Sequence, residues 1–245
     1  QLSFAISVVL FAVTAWPLSL VEVPPYQDLP NHLAAATIIN HLGDYPEFVF
    51  NGFLKTNAAL FTWLCLVGKV VGVKAAARLF TVLVLGVTAL VLPRFVLELT
   101  GSRRRMILAS LLAWPSVHNW FVCMGMLDFA LGVPLALLVV ILLNRQRKEP
   151  SLRNGVYIAA ATIATWYSHV FALLVVYVLL GLHLVERAIA ERSVRKLGPE
   201  LKALVAPVLP SAALVAVSLV IHWTEPKGAM SGFLDLQAFI PPWEI

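Results

Sequence analysis

Long apolar runs separated by short polar segments set the plan of this chain. Residues 1–20, 78–97, 106–122, 126–143, 156–185 and 204–223 are almost free of charge. A bilayer core takes a helix of about 20 residues. Only helices and closed barrels satisfy their backbone hydrogen bonds in lipid. The runs are continuous and not alternating, so helices are predicted and a barrel is not. Residues 156–185 are too long for one crossing of a core about 30 Å thick. They predict two helices that turn near Ser168 and His169. The expected fold is an all-α polytopic transmembrane bundle of about seven spans, forming a single domain over 1–245.

The polar segments carry shorter elements. Leu33, Ala36, Thr37 and Asn40 recur at three- and four-residue steps. That spacing predicts a helix from Leu29 to Leu42, begun by Pro30 and capped by Asp28. Residues 58–73 are apolar but short and hold Lys69. They read as a helix lying in the outer interface or dipping into the membrane, with Lys69 snorkelling, or alternatively as a further true span. Residues 186–202 read as a basic amphipathic surface helix ending near Gly198-Pro199, or as a solvated connector.

Composition agrees with the pattern. Hydrophobic residues make up 60% of the 245 and charged residues 13%, with a mean hydropathy of +0.86. A soluble domain carries about 25% charge. The first run has no small-residue cleavage pattern and further runs follow, so a retained anchor is predicted and not a signal peptide. The chain starts with Gln and ends in Pro-Pro-Trp-Glu-Ile, and reads as a fragment of a longer protein. Cys65 and Cys123 sit among apolar residues and are expected to pack as such.

The net charge of +5 does not point to nucleic acid here. Basic clusters in a membrane protein mark cytoplasmic loops. Arg103–Arg105, the group Arg145, Arg147, Lys148 and Arg153, and the group Arg187, Arg192, Arg195 and Lys196 are three such clusters. The first loop, about 21–77, is acidic over its polar part and is expected outside. The turn at 120–128 and the break at Ser168-His169 then face the same side.

That arrangement gathers ionisable residues on the outer rim, where they are costly unless paired or functional. Asp28 and His32 come from the first loop. His118, Asn119 and Asp128 come from the second turn, Tyr167 and His169 from the break. His222 and Glu225 lie at the end of the last run. Asp28 stands in a stiff segment, Pro24-Pro25-Tyr26-Gln27-Asp28-Leu29-Pro30-Asn31-His32. It reads as a general base taking a proton from an attacking hydroxyl, or as an N-cap. Asp128 follows Gly125 and reads as a cap or, with Asp28, as an oxygen ligand of a divalent cation. His32, His118, Tyr167, His169 and His222 are candidate substrate contacts. Trp114, Trp120, Trp166 and Trp223 suit an interfacial belt. Phosphate loops, Cys/His knuckles and nucleophile elbows do not occur in the sequence.

The order of these features resembles the GT-C superfamily of membrane glycosyltransferases. That group includes the protein mannosyltransferases, the aminoarabinose transferases and the oligosaccharyltransferase catalytic subunits. The resemblance rests on Asp28 early in a long outer loop, on Ala77-Arg78-Leu79 opening the next span, and on Pro115, Gly125 and Asp128. It implies inverting transfer of a sugar from a polyprenyl-phosphate donor at the periplasmic face of a bacterial inner membrane. It also implies Asp28 as the base and Mg²⁺ or Mn²⁺ held by Asp28 and Asp128. Many relatives have Asp-Glu or Glu at the first site, where this chain has Gln27-Asp28. A flippase or transporter of a lipid-linked saccharide and a non-catalytic membrane scaffold are the alternative readings.

Overall fold

The computed structural model describes residues 2–50, 52–192 and 197–224; of residues 114, 115 and 221–224 only the backbone is described. All regular structure in these residues is helical. Helix α1 (Leu2–Ala15) runs on as a 3₁₀ turn to Ser19. The first loop follows, with α2 (Leu29–Asn40), α3 (Ala59–Leu66) and α4 (Gly68–Val71). Helix α5 (Val73–Thr100) is the longest, at 28 residues, and stops at Gly101 in the left-handed conformation.

Three short helices come next: α6 (Arg103–Leu111), α7 (Trp114–Val117) and α8 (Trp120–Met124). The longer elements return with α9 (Leu127–Lys148), α10 (Leu152–Ser168) and α11 (Val170–Glu191). The described chain closes with α12 (Gly198–Val205) and, after a 3₁₀ turn, α13 (Leu209–Thr224).

Among the described residues, five segments are long and apolar enough to cross a membrane: Leu2–Ser19, Val73–Thr100, Leu127–Lys148, Val170–Glu191 and Gly198–Val220. Two of the seven expected spans take other forms. Residues 106–122 are broken into α6, α7 and α8: Pro115 has no N–H for the Leu111 carbonyl, and Asn119 caps α8 as a new helix. Helix α10 forms, but has 17 residues. The predicted break at Ser168-His169 is present, with His169 in extended conformation between α10 and α11.

The expected surface helix over 186–202 is not one element. Helix α11 carries Glu186 and Arg187 on to Glu191, and Arg192 ends it in the left-handed conformation. Pro199 then sits in the first turn of α12 and begins a helix where the sequence reading had it end one.

The packing is that of a bundle whose outside is apolar. Helix α1 exposes Leu2, Phe4, Val9 and Val13 and buries Ser3, Ser7 and Thr14. Ser3 Oγ meets Ser110 Oγ of α6 at 2.6 Å. Phe171, Val175, Val178 and Leu182 are exposed along α11. In water such faces would pack together; in lipid they need not, and small or hydroxyl side chains make the helix contacts.

Two apolar cores result. One surrounds Phe80, Val84 and Leu85 of α5 and takes in Leu29, Leu60, Leu64 and Leu127. The other joins Val139 and Leu142 of α9 to Ile158, Val176 and Leu204. The first core supports the loop helices and therefore the candidate site.

Candidate functional site

The site grows from the way the first loop docks on the second turn. Backbone N–H groups of Gln27 and Asp28 donate to the carbonyls of Cys123 and Met124 at 3.2 and 3.0 Å. Gly125 makes that approach possible. Its φ is +84°, and a Cβ there would lie 2.9 Å from the Leu29 nitrogen and 3.1 Å from the Asp28 nitrogen. Tyr26 is buried beside this seam. Burial, with a smaller contribution from Cys123, pushes its phenol up to about 12. Cys123 itself is exposed, unlike Cys65, so only one of the two thiols packs as expected.

Asp28 occupies the N-cap position of α2, but its side chain makes no capping bond. Its carbonyl accepts the His32 N–H at 3.2 Å. The half-buried His32 ring stands edge-on to Phe61, with centroids 5.3 Å apart. Burial holds its pKa below the ordinary value, opposed by the nearby Asp28 charge and a bond to the Gly125 backbone.

Asp128 has a different duty. Its Oδ1 accepts from the backbone N–H of Leu60 at 2.8 Å. Leu60 lies in the first turn of α3, whose own N-cap residue, Ala58, cannot cap. Asp128 therefore caps a helix in another part of the chain, and not α9, in which it lies. Ser168 Oγ donates to the Asp128 carbonyl at 2.8 Å and ties α10 to the same point.

The first turn of α3 is the hub. Leu60 meets Asp128, Phe61 meets His32, and Thr62 Oγ1 is hydrogen-bonded to the Tyr167 hydroxyl. The Ala58 N–H donates to the Tyr167 carbonyl at 3.1 Å, and Thr56 Oγ1 to the Trp166 carbonyl at 2.8 Å. His169 stands perpendicular to Phe129, with centroids 4.8 Å apart. Burial lowers its pKa. Trp166 is buried, which corrects its expected place in an interfacial belt, whereas Trp120 is exposed. His169 Nδ1 and the indole N–H of Trp166 are buried and have no hydrogen-bond partner among the described residues.

Of the candidates, Asp28, His32, Asp128 and Tyr167 are thus brought together around α3, while the His169 ring packs against Phe129 and Phe171. His118 lies half-buried between α7 and α8 and is engaged within the protein. Asn119 caps α8 through Val122. The side chain of His222 and all of Glu225 fall outside the described residues. The sequence reading missed Leu60, Phe61 and Thr62. A signal existed: a helix that starts at Ala58-Ala59 has no cap of its own, so its cap must come from elsewhere.

The residues expected to hold Mg²⁺ or Mn²⁺ are Asp28 and Asp128. One oxygen of Asp128 is already bonded to a backbone N–H. No group of three His, Cys, Asp or Glu side chains converges among the described residues.

The fold and site define an all-helical bundle of membrane type, with polar loop residues gathered at one end. Comparison of the chain with protein-family models, with curated proteins and with solved structures finds no match.

Proposed function

We propose that the chain is part of a GT-C-like membrane glycosyltransferase that moves a sugar from a polyprenyl-phosphate donor to an acceptor hydroxyl. In this reading α6–α7 and α10 complete about seven crossings, and the α3 end faces the periplasm of a bacterial inner membrane. The acceptor oxygen attacks the sugar C1 from the face opposite the phosphate. Asp28 takes the hydroxyl proton as the new bond forms. The C1–O bond to phosphate breaks, and polyprenyl phosphate leaves with that electron pair, inverting C1.

One observation carries the reading. Of the two candidate aspartates, Asp128 is spent on α3, while Asp28 is clamped by its backbone and has a carboxylate that does no capping. A base needs that combination of fixed position and available oxygen. His32, near enough to feel the Asp28 charge and held edge-on to Phe61, supplies a polar neighbour to the carboxylate.

The test is Asp28→Asn in the full-length protein, assayed with a polyprenyl-phosphate sugar. Transfer is expected to fall on the order of 10²–10⁴-fold, the usual share of a general base, with unfolding temperature unchanged. Full transfer by this variant sinks the proposal.

A further inference from the structure

At the far ends of α9 and α11 a cleft of about 340 Å³ opens between them and α12. Both helices begin at the candidate site and run 22 residues away from it, about 33 Å at 1.5 Å per residue. Val140 and Leu143 of α9 and Val176 and Leu179 of α11 wall the cleft, and Arg147 and Glu186 line it too. Leu179 is exposed on the lipid-facing side of α11, so the apolar wall runs out to the bundle surface.

The charges around this cleft are not alike. Glu200 accepts from both His183 and Arg187, and Arg187 also meets Glu191. Glu98 holds Arg145 and Lys148. Arg147, by contrast, donates only to the side-chain oxygen of Asn144, at 3.1 Å, and pairs with no carboxylate among the described residues. Glu186 is exposed and pairs with no cation among them. Among the described residues the cleft thus keeps one cation and one anion unpaired, from two different helices, beside apolar walls.

We propose that this cleft holds a zwitterionic aminophospholipid, with its phosphate at Arg147, its primary ammonium at Glu186 and an acyl chain along Val140, Leu143, Val176 and Leu179. Basic pockets between membrane helices commonly take lipid headgroups. The carboxylate selects among them. It repels a headgroup that carries only negative charge. A trimethylated ammonium has no N–H to donate to it, whereas a primary ammonium has three. A cleft of this size also falls in the range that holds a small ligand group.

The experiment uses the purified full chain, stripped of lipid in detergent. It is titrated with short-chain phosphatidylethanolamine, phosphatidylcholine and phosphatidylglycerol, and bound lipid is counted by native mass spectrometry. An ion pair at an exposed carboxylate is worth up to about 1 kcal/mol, so phosphatidylethanolamine should bind up to about fivefold more tightly than the other two at low salt. Glu186→Gln should bring it down to the level of phosphatidylcholine. Arg147→Gln should weaken both of these lipids alike. Both positions are exposed, and unchanged melting of the variants checks their folding. Equal binding of all three lipids, tightest binding of phosphatidylglycerol, or no effect of Glu186→Gln overturns the proposal. The readout involves no sugar transfer, so it stands or falls apart from the proposed activity.

Discussion

At the α3 end, side chains bond to backbone. Asp128 holds the Leu60 N–H, Thr56 the Trp166 carbonyl and Ser168 the Asp128 carbonyl. At the opposite end, carboxylates hold cations: Glu98 with Arg145 and Lys148, Glu200 with His183 and Arg187. Backbone-directed bonds have one geometry and little dependence on salt. Exposed ion pairs tolerate rearrangement and are screened. A reacting group must be held to a fraction of an ångström, so the first kind of end suits chemistry. The second suits anchoring at a charged surface, where side chains exchange partners freely.

The comparison can be broken in order of effect. Asp28→Asn is expected to give the largest change in activity and the smallest in stability, as described above. Gly125→Ala should follow, because it hits both. The new methyl group meets the Leu29 nitrogen at a residue with positive φ. A left-handed non-glycine residue and overpacking together cost about 2–4 kcal/mol. Thermal unfolding measures that loss, and the same variant should lose transfer because Asp28 rides on the displaced segment. Wild-type melting would mean that the seam is not tight.

Asp128 sharpens the contrast between the two aspartates. Asp128→Ala removes the cap of α3 and is expected to cost about 1–2 kcal/mol. Asp128→Asn keeps an acceptor for the Leu60 N–H and should recover most of that. If the asparagine variant melts no better than alanine, the carboxylate charge matters and the capping role is insufficient. At the other end, Glu98→Gln should cost under about 1 kcal/mol, since its partners are half exposed. That small difference should shrink further in high salt, as a salt series of melting curves would reveal.

The smallest expected effect is on pH. Burial lowers the pKa of His32 and His169, so the folded protein binds protons less readily there than the unfolded chain. Stability from these two sites is full above the ordinary histidine value of about 6.5 and declines as pH falls below it. Melting at pH 7.5 and pH 5.5 checks the sign, with both pH values chosen to bracket that reference. His32→Gln should flatten part of the slope.

Much of this fold was legible in the chain. The break at Ser168-His169 followed from the length of one apolar run, and α2 from Pro30 and the spacing behind it. The end of α11 was not, because Gly198-Pro199 suits a helix start as well as a stop and composition cannot choose. The span count depended on residues 106–122, where hydropathy sees a continuous run and Pro115 interrupts the backbone. For the site, the aspartates and histidines were visible as residue types. Their duties were not. Nothing local separates Asp28 from Asp128; which one caps a helix depends on where α3 lies, and that is a tertiary fact.

The bond between Asp128 and Leu60 joins positions 68 residues apart. A ribosome delivers Leu60 long before Asp128. The opening turn of α3 must therefore wait, its N–H groups turned to water, until α5 and the second turn have emerged. Membrane insertion of the later segments then completes an element that was synthesised first.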